Sequence, residues 1–229
     1  MKTLICCFCS FLIFIFIFSN SIFAQGTYQF RLYAGAVFPQ GDFGSTSTEK
    51  AGFANTGFCI MLEGEAISYV NVTWVSSVSF AVNSLDESSM RDQISQELSQ
   101  VLGSPVSITL DVDSYITTWI MTGIRVQKFI TPSVTLYGSG QIGLLLSRFP
   151  DIKVYLMDVP ITQTTTMGKA FAYGFSAGTC INDKVSIGIA YYSSEPEYEQ
   201  TASSMGTTLA DVRVKLPASV LQLMVGISL

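Results

Sequence analysis

Eight stretches of alternating apolar and polar residues, a low charge content, and connections that alternate between short and long predict an all-β fold. The architecture they predict is a closed antiparallel up-and-down transmembrane β-barrel, with one short helix in its second long connection. Of 229 residues, 48% are hydrophobic and 13% are charged. A water-facing globular domain carries about 25% charged residues. The formal net charge is −5, and no basic cluster of the kind that binds nucleic acid is present.

The N-terminus reads as a targeting segment. Lys2 supplies one positive charge, Leu4 to Phe18 is almost wholly apolar, and Ser19, Asn20 and Ser21 follow. The core is shorter than the roughly 20 residues a spanning helix needs. Residues 1–24 are therefore expected to be a secretory signal peptide cut after Ala24, with residues 25–229 forming the barrel domain. An uncleaved anchor is the alternative for the same segment. Cys6, Cys7 and Cys9 fall in it, leaving Cys59 and Cys180 to the mature chain. Two cysteines make no disulfide framework.

Beyond it the apolar residues recur every second position. Tyr28, Phe30, Leu32, Ala34 and Ala36 share one face of a first strand; Phe58, Ile60 and Leu62 share a face of the second. The third strand presents Val72, Trp74, Val78, Phe80 and Val82, and the fourth Ile116, Ile120, Ile124 and Val126. Val134, Leu136, Ile142 and Leu144 mark the fifth, Phe171, Tyr173 and Phe175 the sixth, and Val185, Ile187, Ile189 and Tyr191 the seventh. Leu221, Leu223, Val225, Ile227 and Leu229 mark the eighth. Each stretch is near the 9–11 residues that a tilted transmembrane strand requires.

Alternation alone leaves open which face meets water. The opposite faces are rich in Gly, Ser, Ala and Thr, which suit a narrow lumen and cannot build an apolar core. The charges that fall inside these strands, Arg31, Glu63 and Arg125, lie on that small polar face. Leu136, Leu144, Leu221, Leu223 and Val225 are accordingly assigned to lipid. Connections near residues 64–70, 127–132 and 182–184 are short, whereas 39–52, 83–114, 148–169 and 194–217 are long. Short turns on one rim and long loops on the other are the outer-membrane arrangement. Aromatic girdles are expected from Tyr28, Tyr69 and Phe129 at the short-turn rim, and from Phe38, Phe53, Phe80, Phe171 and Tyr191 at the other.

The segments Tyr33–Gly44 (YAGAVFPQGDFG) and Gly52–Gly57 (GFANTG) carry a family resemblance, continued by Tyr137–Gly143, Tyr173–Gly178 and the terminal Leu223–Leu229. The chain resembles the bacterial outer-membrane protein β-barrel domain family, the small eight-stranded group of OmpA-type and OmpX-type barrels. The resemblance implies a bacterial outer-membrane location, lipids as surroundings, and handling by the barrel-assembly machinery. Many members end in an aromatic residue; this chain ends in Leu229.

Within the lumen, Glu63 is expected to pair with Arg31, Arg125 or both, because buried unpaired charge is costly. The pairing plugs the barrel in one reading and forms a charged constriction for ions in another. In the second long connection, Ser84 with Glu87 has capping-box spacing, and Met90, Ile94, Leu98 and Leu102 (or Val101) form a stripe at helical spacing before Gly103 and Pro105. The stripe either packs on the loop and barrel mouth or meets a protein partner, of which the sequence names none. Thr162–Thr166, Ser203–Thr208 and the run Glu195–Glu199 read as solvated loop tips. Asp111 and Asp113 are too few oxygens for calcium.

With no histidine there is no Ser/His/Asp triad, Cys/His dyad or His-ligated zinc. No catalytic residue, metal site or cofactor is assigned, and the chain is read as a non-enzyme. The leading function is an integral barrel with a structural or surface-interaction role through its long loops. A narrow passive channel and a secreted lipocalin-like lipid carrier are the competing readings.

Overall fold

A computed structural model describes residues 28–47, 51–69, 71–156, 159–204 and 207–229. The expected signal peptide, residues 1–24, lies outside the described residues.

The strands are β1 (Tyr28–Gln40), β2 (Ala54–Tyr69), β3 (Val72–Leu85), β4 (Ile108–Val112), β5 (Tyr115–Thr131), β6 (Val134–Arg148) and β7 (Ile152–Leu156). They continue with β8 (Val159–Thr165), β9 (Met167–Ile181), β10 (Val185–Ser194), β11 (Glu197–Ser204), β12 (Thr207–Lys215) and β13 (Ala218–Ser228). A 3-10 turn spans Gly41–Phe43, and the helix α1 spans Glu87–Leu102. Eight strands close a barrel in the order β1-β2-β3-β5-β6-β9-β10-β13, with β13 returning to β1, every pairing antiparallel. Closure leaves no free backbone edge within the barrel, which is the condition for strands to cross lipid.

The strand pleat sorts the side chains inside out. Phe58, Ile60, Trp74, Ile124, Ile142 and Phe175 are each about half exposed on the exterior. Leu136, Leu144, Leu223 and Val225 stand on the same exterior, and Leu221 is half-buried there. Ser76 and Thr122 interrupt this band, and their hydroxyls satisfy each other at 2.9 Å. Inside lie Arg31, Glu63, Glu65, Arg125, Gln141 and Gln222, all buried. This is the inverse of a soluble barrel. The short-turn rim is tight: the three-residue β9–β10 connection holds Asn182 and Asp183 at φ 51° and 55°, and the Lys184 amide closes the turn on the Ile181 carbonyl at 3.0 Å.

The structure adds five strands to the long-connection end. β4, β7, β8, β11 and β12 pair in that order into a sheet, β12 lying on the far side of β11. The Thr and Ser tracts and the Glu195–Glu199 run, expected as loop tips, thus contribute Thr162–Thr165 to β8 and Glu197–Ser204 to β11. β4 and β7 alternate, Ile108 and Leu110 against Thr109 and Asp111, and Ile152 and Val154 against Lys153 and Tyr155, but over five residues each, too few to read as spanning strands. The ladders β10–β13 and β11–β12 share one register, Ser194 opposite Ala218 and Glu197 opposite Lys215. The hairpin therefore continues two barrel walls past the rim without a shift.

The helix forms where expected, but its N-cap is Asp86 and not Ser84, which belongs to β3. The Ser89 amide donates to Asp86 Oδ1 at 3.1 Å, and Gly103 closes the other end at φ 69°. Ser88 and Ser89 hydrogen bonds hold the Asp86 carboxyl below its ordinary pKa. Met90 is buried, and Ile94 and Leu98 pack on the core with Ile108, Leu110 and Val154. Leu102 and Val101 do not join the stripe; both are exposed. Phe53 also departs from expectation. It is buried in the cap over the barrel mouth and not in an exterior girdle. Phe171 stands exposed on the exterior, whereas Phe129, opposite Thr135 and on the inward parity of Arg125 and Gln127, lines the short-turn mouth and not an exterior girdle; Tyr69 has no described side chain.

Candidate functional site: the barrel lumen and its two ends

The lumen is organised by cross-strand pairs. Tyr33 of β1 lies opposite Gly226 of β13, Tyr192 of β10 opposite Gly174 of β9, and Tyr137 of β6 opposite Gly178 of β9. A Cβ on any of these glycines would meet the facing tyrosine at 2.2–2.5 Å. The tyrosines lie flat over backbone that carries no side chain, and so fill a narrow cylinder that an upright ring would not fit.

Toward the short-turn end, four charged groups meet. Arg31 and Glu63 are register partners on β1 and β2, and Arg125 arrives from β5. Arg125 Nη2 donates to Glu63 Oε2 at 2.6 Å, and Arg31 Nη1 lies 3.8 Å from Glu63 Oε1. Both arginines also donate to Glu65 Oε1. Sequence reading misses Glu65, because Gly64 reads as opening a turn directly after Glu63. The strand runs on to Tyr69, and Gly64 faces outward beneath the Phe30 ring. Strand parity, extended two residues, puts Glu65 beside Glu63.

Neutral groups meet much of the rest of the cluster, leaving Nε of Arg31 and of Arg125 without a hydrogen-bond partner among the described residues. The Tyr33 hydroxyl donates to Glu63 Oε1 at 3.2 Å, Gln127 Nε2 to Glu65 Oε2 at 3.3 Å, and Arg31 Nη2 to Gln29 Oε1 at 2.9 Å. The Arg125 guanidinium sits 4.2 Å above the Tyr137 ring. Two positive and two negative groups cancel, so the cluster presents no net charge. Beneath it, at the short-turn mouth, is a vestibule of about 380 Å³ lined by Gln29, Arg31, Gln127, Tyr137, Cys180 and Asp183 among others.

Above the cluster the lumen turns apolar. Trp119 stacks on Tyr192 with centroids 5.5 Å apart, and the Tyr192 hydroxyl donates to Gln141 Oε1 at 3.3 Å. At the long-connection rim, Phe43, Tyr115, Phe149 and Tyr198 form a chain of edge-to-face rings at 5.0, 5.2 and 5.7 Å. The Tyr115 hydroxyl donates to the Gly52 carbonyl at 2.6 Å, fastening the first long connection over the mouth. The Tyr198 hydroxyl donates to Ser147 Oγ at 2.7 Å, and burial pushes its pKa up to about 12. None of these rim contacts was readable as such from the sequence.

A closed eight-stranded barrel, apolar outside and plugged by charge pairs and aromatic rings, defines the class: the fold of the small outer-membrane barrels. Two solved structures share it, and a third is similar at a lower score. A major outer membrane protein of Thermus thermophilus is 11% identical, with 89% of this chain and 100% of that one covered at a TM-score of 0.52. OprG of Pseudomonas aeruginosa is 10% identical, covering 90% and 97% at 0.51. Ail, the attachment invasion locus protein of Yersinia pestis, is 15% identical, covering 90% and 99% at 0.43. No protein-family model matches the sequence. No curated protein matches it either.

Proposed function

We propose that this protein is a sealed, non-enzymatic barrel of the bacterial outer membrane, and that the sheet projecting from its long-connection end acts as a surface-contact element. One observation carries the reading: the lumen is filled from the Arg31/Glu63/Glu65/Arg125 cluster to the Phe43–Tyr198 ring chain, while the chain invests five strands and a helix beyond the barrel. A barrel built for permeation keeps an open path. A lipid carrier needs an open apolar cavity, and here Trp119, Tyr192, Met121 and Leu145 fill the upper lumen.

The exterior band supports residence in lipid, and the likeness in fold to outer-membrane barrels supports the outer membrane as the site. Enzymatic work has no support in the residues: no histidine is present, and the buried carboxylates are both engaged by arginine.

Planar-bilayer recording of the purified full chain tests the sealed lumen. The expected result is no stable conductance. A steady conductance that changes on Glu63→Gln overturns it in favour of a charged constriction. Trypsin added to intact cells tests the surface placement: cleavage at Arg213 or Lys215 is expected, and full protection in intact but not lysed cells overturns it.

A further inference from the structure

The projecting sheet has an edge that nothing described covers. β1 ends at Gln40, opposite Ser219, whereas the hairpin on its neighbour runs on through β12. Among the described residues β12 pairs with β11 only, and every residue from Thr207 to Lys215 is exposed except the half-buried Val214. An open ladder of this length is a template for another strand.

Which backbone groups face outward follows from one bond. The Leu216 amide donates to the Pro196 carbonyl at 3.2 Å, in register with Glu197 opposite Lys215. Antiparallel ladders alternate bonded and non-bonded pairs. From Ala210 to Leu216 the even-numbered residues therefore bond toward β11, and Asp211, Arg213 and Lys215 aim their N–H and C=O groups at the open side; the register shifts beyond Ala210.

We propose that this edge pairs with the same edge of a second copy of the chain, antiparallel and centred on Val212. That register places Asp211 opposite Arg213 of the second copy and Arg213 opposite its Asp211, with both pairs at positions that exchange backbone hydrogen bonds. Ala210 then faces Val214, and Val212 faces itself. Centring on Asp211 or Arg213 instead sets like charges face to face at the axis, whereas the Val212 register has two opposite-charge pairs and no like-charge pair. The partner is a second copy because the strand is complementary to itself.

The topology also sets the geometry. The hairpin extends the β10–β13 ladder outward, and an antiparallel copy runs the opposite way back to its own barrel. The twofold axis of such a pair stands perpendicular to the sheet, so the two barrels belong to facing membranes. One short edge is a weak contact; many copies on each surface add their effects by multivalency. The inference rests on the surface-contact reading above.

The test uses full-length protein in two dye-labelled populations of phosphatidylcholine–phosphatidylglycerol vesicles, scored for clustering by fluorescence cross-correlation. Wild-type vesicles cluster. Asp211→Arg vesicles alone, and Arg213→Asp vesicles alone, fall to the level of protein-free vesicles. Mixing the two variants restores clustering, because each then meets its opposite charge. Heat-modifiable gel migration confirms that both variants keep a folded barrel. Dispersed wild-type vesicles, single variants that cluster as wild type does, or a mixture that fails to recover each overturn the proposal. Cross-links within one membrane without clustering overturn the facing geometry. Trypsin cleavage on intact cells with no vesicle clustering defeats this inference alone and leaves the surface-contact reading standing.

Discussion

Arg125 reaches Glu63 at 2.6 Å over the intervening strand β3. It can do so because β3 presents only short side chains to the lumen here, Thr73 opposite Arg125, Val75 opposite Glu65 and Ser77 opposite Glu63. The ion pair and the small residues under it are one device: charge supplies the attraction, and the missing side-chain volume supplies the path.

Removing one member of this cluster leaves the others buried and unbalanced. Glu65→Gln is expected to cost about 3–5 kcal/mol of stability, the usual penalty for breaking a buried pair. Adding Arg31→Met restores neutrality, and the double variant loses less than the two singles summed. Urea unfolding in vesicles, followed by tryptophan emission, measures both.

The lipid-facing assignment predicts a depth dependence. Val225→Arg, near the middle of β13's exterior row, should destabilise by about 2–4 kcal/mol. Leu136→Arg, one exterior position from the short-turn end of β6, should cost about 0–1 kcal/mol. Equal costs at the two positions in the same urea assay would contradict the placement of the membrane.

The glycine beneath Tyr33 is needed for its space. A Cβ at Gly226 stands 2.4 Å from the ring, so Gly226→Ala displaces Tyr33 and its hydrogen bond to Glu63. A loss of about 1–3 kcal/mol is expected, as for other overpacked interiors. Pairing Gly226→Ala with Tyr33→Leu should recover part of it in thermal unfolding.

The Asp86 cap gives α1 a pH response. Its pKa is lowered in the folded state, chiefly by the Ser88 hydroxyl and then by the Ser89 amide. The cap's contribution is therefore complete above the ordinary carboxylate value of 3.8 and is lost as pH falls through the lower folded value. Hydrogen exchange over Ser88–Leu102, corrected for intrinsic rates, should show loss of protection only below that range. Asp86→Ala should show the same loss at neutral pH, with about 1 kcal/mol of cap removed.

The barrel was legible because lipid imposes a strict rule: each spanning strand must alternate, and Phe58, Ile60 and Leu62 or Leu221, Leu223 and Val225 do so plainly. Arg31, Glu63 and Arg125 were readable by the same parity. Glu65 was hidden by a glycine that makes room for Phe30 rather than a turn. The projecting strands were hidden because their alternation is short and heavily charged, Ala210, Val212 and Val214 against Asp211, Arg213 and Lys215, unlike the long apolar rows of the barrel. Asp86 lost to Ser84 in the sequence because capping-box spacing ignores where the preceding strand stops. The role of Phe53 depends on a connection folding back over the mouth, which local pattern does not encode.

The unbroken register from Lys215 opposite Glu197 down to Ala218 opposite Ser194 has a mechanical consequence. A tug on the hairpin tip passes straight down β10 and β13 and loads their bonds to β9 and β1 in shear, many rungs at once. Tension applied to the projecting sheet is thus delivered to the wall of the cylinder instead of peeling the tip apart.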